Sequence, residues 1–249
     1  MKTNNANNQK AIILKNVYKA FGENSAEELY ALKDIDLEIE KGEFFMFVGP
    51  SGSGKSTILR IMSGLESDYR GEVKIDRSKI GFVFQQFALM PWLTVRQNVT
   101  LPLLSAQISE VERFKKVSIE LEKLGLLKFA NYFPKELSGG MKQRVGIARA
   151  LVTEPEIIFM DEPFSDLDSF TAEELRAEIL KIWAERRPTI VMVTHIVEEA
   201  IELADRIAVL TPRPGRIEKI FINKLLRPRD LRSPEFFKME DELYNVIKP

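Results

Sequence analysis

Residues 49–57 read Gly-Pro-Ser-Gly-Ser-Gly-Lys-Ser-Thr, and no other stretch limits the fold so tightly. The spacing is that of a phosphate-binding loop, G-x-x-x-x-G-K-[ST]. Its glycines let successive backbone N–H groups turn inward toward phosphate oxygens that a Cβ would obstruct. Lys55 supplies a point charge for β- and γ-phosphates, and the Ser56 hydroxyl suits Mg²⁺. Such a loop joins a strand to a helix, and both flanks are present. Glu43 to Val48 is an apolar run of strand length, and Thr57 to Met62 opens a helix whose N-terminus favours anions. A chance turn rich in glycine and serine would carry neither flank.

At 249 residues, 45% of them hydrophobic, the chain suits one large α/β domain or two intimate subdomains. The net charge of −1 gives no electrostatic argument for nucleic acid or for an anionic membrane surface. With no cysteine, disulfide and thiolate chemistry are excluded. Met1 to Lys10 is polar and asparagine-rich and reads as a loose tail rather than a signal peptide. The longest apolar runs are strand-sized, so a membrane role needs a partner.

In chain order, Ala11 to Val17 alternates loosely and reads as an edge strand, and Leu32 to Ile39 as a second strand. Phe21, upstream of the phosphate loop, either stacks on an adenine ring or packs in the core. Gln85 ends the short strand from Ile80, where a carboxamide can accept from water and coordinate Mg²⁺. From Phe87 to Ala150 the pattern turns helical. Ser109 with Glu112 suggests a capping box, and Val111, Phe114, Val117, Leu121 and Leu124 then form one face, which reads as a packed helix. Trp92, beside Pro91, is either a partner-docking knob or a local plug. Ser138 is a good N-cap, and Gly139 and Gly140 open the next helix, a second anion-favouring end. Ile157 to Met160 is a buried strand with Asp161 and Glu162 at its carboxyl end, the edge at which open α/β sheets bind ligands. There Asp161 can hold Mg²⁺ and Glu162 can polarise an attacking water, whereas a surface pair would not follow four apolar residues. Ser165 to Asp168 is a tight acidic turn. The strand Thr189 to Thr194 ends at His195, the only histidine in the chain. Ser233 and Pro234 start a terminal amphipathic helix.

Taken together, these residues resemble the ATP-binding subunit of an ABC transporter over about residues 11–220. The match runs through the Walker A loop Gly49, Pro50, Ser51, Gly52, Ser53, Gly54, Lys55, Ser56 and Thr57, then Gln85 at the Q-loop position. It continues through the signature Leu137 to Gln143, the Walker B end Asp161-Glu162, the D-loop Ser165 to Asp168 and the switch histidine His195. The resemblance implies a P-loop NTPase (RecA-like) core, an inserted α-helical subdomain at about 87–150, an N-terminal antiparallel β subdomain and, at 226–249, a C-terminal helical extension. It implies two ATPs held between two such subunits. Phe21, the Walker A residues and Ser138, Gly139, Gly140 and Gln143 would contact nucleotide; Ser56, Gln85 and Asp161 would hold Mg²⁺; Glu162, His195 and Gln85 would serve hydrolysis. Two departures from the family pattern, Asp166 in the D-loop and Ile196 after His195, leave every catalytic group in place.

The Gln85–Val95 and Arg213–Ile217 segments resemble the nitrate/sulfonate/taurine importer group. The resemblance thus implies a peripheral ATPase at the cytoplasmic face of the cell membrane. Its partners would be a second, identical ATP-binding subunit, transmembrane permease subunits and, indirectly, a periplasmic or extracellular solute-binding protein; nucleic acid would not be one. Rivals remain. A soluble P-loop GTPase would explain the start of N-K-x-D at Asn223-Lys224, but the Asp is missing and Leu137 to Gln143 would have no role. A non-transport ABC protein generally carries two nucleotide domains or a long coiled coil, and neither is present.

Overall fold

The computed structural model describes residues 9–21 and 29–247; most of the expected N-terminal tail, and Gly22, lie outside them. Among the described residues the strands are β1 (Lys10–Phe21), β2 (Leu29–Glu40), β3 (Phe44–Val48), β4 (Arg70–Ile75), β5 (Ile80–Val83), β6 (Ile157–Asp161), β7 (Thr189–Thr194), β8 (Arg206–Leu210) and β9 (Ile217–Ile222). The α-helices are α1 (Lys55–Ser63), α2 (Val95–Thr100), α3 (Glu110–Lys123), α4 (Gly139–Leu151), α5 (Ser169–Arg186), α6 (Val197–Leu203) and α7 (Pro234–Ile247). The chain divides into two compact units, Met1–Arg77 with Pro188–Pro249, and Ser78–Arg187.

In the first unit β1 pairs antiparallel with both β2 and β4. The expected edge strand is therefore the middle one. Its loose alternation has a local cause. Asn16 and Asp34 take left-handed backbone (φ 49° and 58°), and the pairing register shifts beside them. Each extra residue reverses the facing of every later side chain, so Ile12, Leu14 and Val17 on β1 and Leu32, Ile35 and Leu37 on β2 are all buried. The second sheet of this unit has β3 between β7 and β8, all parallel, with β9 antiparallel on β8. Every residue of β3 is fully buried, as expected for a central strand covered on both faces.

In the second unit β5 and β6 pair in parallel, Ile80 opposite Ile157 and Val83 opposite Met160. The segment between them is helical, as the sequence pattern indicates. A capping box starts α2: Thr94 Oγ1 accepts from Gln97 N–H at 3.3 Å, and Thr94 N–H donates to Gln97 Oε1 at 2.8 Å. Ser109 caps α3 by accepting from Glu112 N–H at 3.1 Å. The apolar stripe of α3 is only half covered, however. Val117 and Leu121 are buried, whereas Val111 and Phe114 are 80% and 57% exposed. The Arg96 guanidinium lies 4.2 Å from the Phe114 ring centre, in place of an apolar cover. Among the described residues no helix is long and apolar enough to cross a membrane.

Candidate functional site

Strand register brings functional residues to one edge within each unit. In the first, Val48 lies opposite Thr194, so the loop that starts at Gly49 and the His195 side chain leave adjacent strand ends. In the second, Val83 lies opposite Met160, which puts Gln85 just past the end of β5 and Asp161-Glu162 at the neighbouring end of β6.

The loop backbone is arranged for an anion. Gly52 and Gly54 adopt left-handed φ of 78° and 89°, which glycine reaches without strain. At Gly52 a Cβ would meet nothing within 4 Å, so left-handed backbone rather than crowding favours glycine there. Lys55 is buried and its ammonium donates to Gly49 O at 2.9 Å and Pro50 O at 3.0 Å, folded over the turn. Ser53 is fully buried, and its hydroxyl has no hydrogen-bond partner among the described residues. A buried polar atom without a partner costs about 1–3 kcal/mol, and a phosphate oxygen would remove that cost. These residues fit a nucleotide phosphate.

A second turn braces the loop from behind. Gly215 N–H donates to Ala31 O at 2.9 Å, and Lys33 N–H donates to Gly215 O at 3.0 Å. A Cβ on Gly215 would lie 1.9 Å from Ser53 O, so only glycine lets this turn seat against the loop. Phe21 ends β1 with its ring 45% exposed and the Lys19 ammonium 4.9 Å from the ring centre. Phe21 is thus not enclosed in the core. His195 is exposed. The strand end before it is held by Thr194, whose hydroxyl donates to buried Glu199 Oε2 at 2.6 Å and accepts from Ile196 N–H at 3.1 Å. Asn223, the start of the apparent guanine-reading motif, is buried and donates to Ile201 O at 2.8 Å, a structural contact.

In the second unit Gln85 Nε2 donates to Ser165 Oγ at 3.4 Å, and Ser165 Oγ donates to Glu162 O at 3.1 Å. Q-loop, D-loop and Walker B end are thus joined. Asp161 is buried, and Glu162, half-buried, has a left-handed φ of 43°. No group of three or more acidic or histidine side chains poised for a metal occurs among the described residues. Ser138 caps α4 by accepting from Met141 N–H at 3.3 Å, with Gly139 exposed beside it. A Cβ on Gly140 would fall 2.4 Å from the Thr171 methyl carbon, so the signature turn packs directly on the start of α5. Gln143, grouped by the sequence with the nucleotide contacts, is fully enclosed, and neither end of its carboxamide has a partner among the described residues.

Two residues that organise this unit escaped the sequence reading. Asn98, fully buried, accepts from Met90 N–H at 2.8 Å and donates to Met90, Leu93 and Thr94 carbonyls at 3.0–3.1 Å. Arg149, 9% exposed, donates to Ala88 O at 2.5 Å and Phe87 O at 3.0 Å. Burial pulls its guanidinium below the usual pKa. A signal existed: Arg149 lies four residues after Val145, a charge within the apolar stripe of α4.

The profile described as ABC transporter matches residues 32–165. The nitrate import ATP-binding protein NrtD of Synechocystis is 43% identical over 234 residues, 88% of each chain. The chain belongs to the ABC transporter family. It is an ABC-type ATPase subunit. The aliphatic sulfonates import ATP-binding protein SsuB of Bacillus licheniformis is 44% identical over 225 residues, 88% of this chain and 87% of that one. Among solved structures, a dimeric ATP-binding cassette in a post-hydrolysis state, bound to ADP and Pi, is similar with a TM-score of 0.77. It is 40% identical, and the match covers 86% of this chain and all of that one.

Proposed function

We propose that this ATPase drives import of a small oxyanion or organosulfonate, such as nitrate, an alkanesulfonate or taurine, through a membrane permease. The observation that carries this reading is the near-full-length similarity to one nitrate and one sulfonate import subunit. The chain has no role in recognising the solute, since the polar groups named at its strand ends are those a MgATP site uses. A solute-binding protein and the permease supply specificity.

Two identical subunits work together from the cytoplasmic face, a reading supported by the dimeric state of the ADP-bound relative. Lys55 and the loop amides bind phosphates, Phe21 stacks on adenine, and Ser56, Asp161 and Gln85 hold Mg²⁺, which screens phosphate charge. Glu162 takes a proton from water, a general-base effect of roughly 10²–10⁴-fold, and His195 orients the reacting groups. Ser138, Gly139 and Gly140 meet the nucleotide of the partner subunit. Enclosed Gln143 has a packing role. The exposed Trp92, Val111 and Phe114 of the second unit face the permease; the exposure of large apolar side chains supports this docking role.

The test is ATPase measured on the complete transporter in membranes with loaded solute-binding protein. Stimulation by nitrate, taurine or alkanesulfonates is expected. Stimulation by amino acids or sugars, with none by these anions, overturns the solute assignment and leaves the ATPase in place.

A further inference from the structure

Arg149 has no part in the assignments above, yet its surroundings are unusual. It is a buried cation whose hydrogen bonds go to two backbone carbonyls, and among the described residues no carboxylate partners it. An apolar side chain would fill the same space on α4 without desolvating a charge. The two carbonyls belong to Phe87 and Ala88, consecutive non-glycine residues with left-handed φ of 43° and 47°. Adjacent left-handed residues with side chains are strained and persist only where neighbours hold them. Gln85 lies two residues before this turn, and Asn98 fixes the chain from Met90 onward. The guanidinium fork therefore acts where the segment carrying Gln85 is least favourable.

We propose that Arg149 is a positioning residue. It clamps the strained Phe87–Ala88 turn onto α4, the helix that carries the signature residues, and so sets the position of Gln85. The proposal rests on the nucleotide-site reading of Gln85. The planar guanidinium places two donors in a fixed fork toward the two carbonyls, a geometry that the single rotating ammonium of lysine does not reproduce. Movement of α4 is thereby transmitted to Gln85 through two hydrogen bonds, and the signature turn and the Q-loop share one rigid element.

The test combines Arg149→Met, which keeps the stem, with Arg149→Lys, which keeps the charge. Hydrogen exchange of peptides covering residues 85–92 is followed alongside steady-state ATPase in the assembled transporter. Faster exchange confined to that segment is expected in both variants. The turnover number should fall by roughly tenfold with KM for ATP changed less than about twofold, because the loss is of placement rather than of ground-state binding. Ala88→Gly, nearly neutral alone, should restore at least about half of the lost turnover in the Arg149→Met background, since glycine adopts the left-handed turn without a clamp. Unchanged exchange at 85–92 in both variants overturns the proposal. So does a turnover loss that Ala88→Gly fails to recover, which would mark Arg149 as general packing. Should Arg149→Met not fold, Arg149→Lys with Ala88→Gly decides by the same outcomes. Gln85→Ala is the separate control: wild-type turnover there removes Gln85 from the nucleotide site, while exchange still judges the clamp.

Discussion

Replacing Gly215 by alanine asks whether the phosphate loop is shaped by the turn behind it. The added methyl would lie 1.9 Å from Ser53 O and 3.3 Å from Ala31 O. A carbon and a carbonyl oxygen need at least ~3 Å, so one backbone must move by about 1 Å. Gly215 is not in the left-handed region, so the substitution carries no conformational penalty of its own. Retreat of the turn breaks its two hydrogen bonds, to Ala31 O and from Lys33 N–H. At about 0.5–1.5 kcal/mol for each bond, and about 1–3 kcal/mol for overpacking if the turn stays, the cost is roughly 2–3 kcal/mol either way. For a chain of this size that lowers Tm by roughly 4–12 °C. The loop carries Ser53 and Lys55, so KM for ATP should rise about tenfold as well, the usual consequence of displaced binding groups. Thermal unfolding followed by circular dichroism, with ATP titrations of turnover, measures both. Gly125→Ala is the comparison: its φ is 68° and its Cβ meets nothing within 4 Å. That variant should cost about 1 kcal/mol from backbone strain alone and leave KM unchanged. Gly215→Ala that melts no lower than Gly125→Ala, with wild-type KM, refutes the bracing argument.

Two further substitutions address the chemistry. Glu162→Gln should retain ATP binding and lose turnover by about 10²-fold or more, because the amide keeps shape and hydrogen bonding but takes no proton; near-wild-type turnover in a steady-state assay removes Glu162 as base. Phe21→Ala should raise KM for ATP by roughly tenfold with little change in kcat, as expected for a stacking contact of about 1–3 kcal/mol that binds ground and transition states alike. An unchanged KM takes Phe21 out of the site.

What the sequence carried plainly was whatever depends on local spacing. The phosphate loop, the caps at Ser109, Ser138 and Ser233, and the strands ending at Asp161 and His195 are all set by residue type at short range. The misreading of β1 shows the limit. A bulge reverses the facing of every later side chain, so Val17 is buried where strict alternation exposes it, and alternation alone could not reveal that β4 would cover the far edge. The stripe of α3 failed differently. Its period was read correctly, but periodicity says that a face is apolar and not whether this chain supplies its cover, and Val111 and Phe114 are left open. Gly215 was visible only as part of the Arg213–Ile217 segment. Its closeness to Ser53 joins positions 162 residues apart in sequence, and nothing local encodes that contact.

The phosphate loop and the strand ends of the second unit reach left-handed backbone by opposite means, and the difference reflects the task of each position. In the phosphate loop those positions are Gly52 and Gly54, which take left-handed φ without strain, and at Gly54 a Cβ would also fall 2.6 Å from Leu32 and 2.9 Å from Ala31 O. At the strand ends of the second unit they are Phe87, Ala88 and Glu162. Glu162 needs its carboxylate, so glycine is no option there, and each such residue costs about 1–2 kcal/mol relative to right-handed backbone. In all three cases the strained residue's own carbonyl is held by donors. Arg149 serves Phe87 and Ala88, while the amide and hydroxyl of Ser165 both serve Glu162, at 3.3 and 3.1 Å. Ser165 also accepts from Gln85, so the hydrogen bond that steadies one strained residue reports the position of the other segment. Glycine at Ala88 would relieve the strain and hold the turn without its donor, whereas Glu162 cannot be exchanged without losing its carboxylate. The donors that oppose the strain are therefore what keeps Gln85 and Glu162 in a fixed relation, and they are where that relation can be loosened.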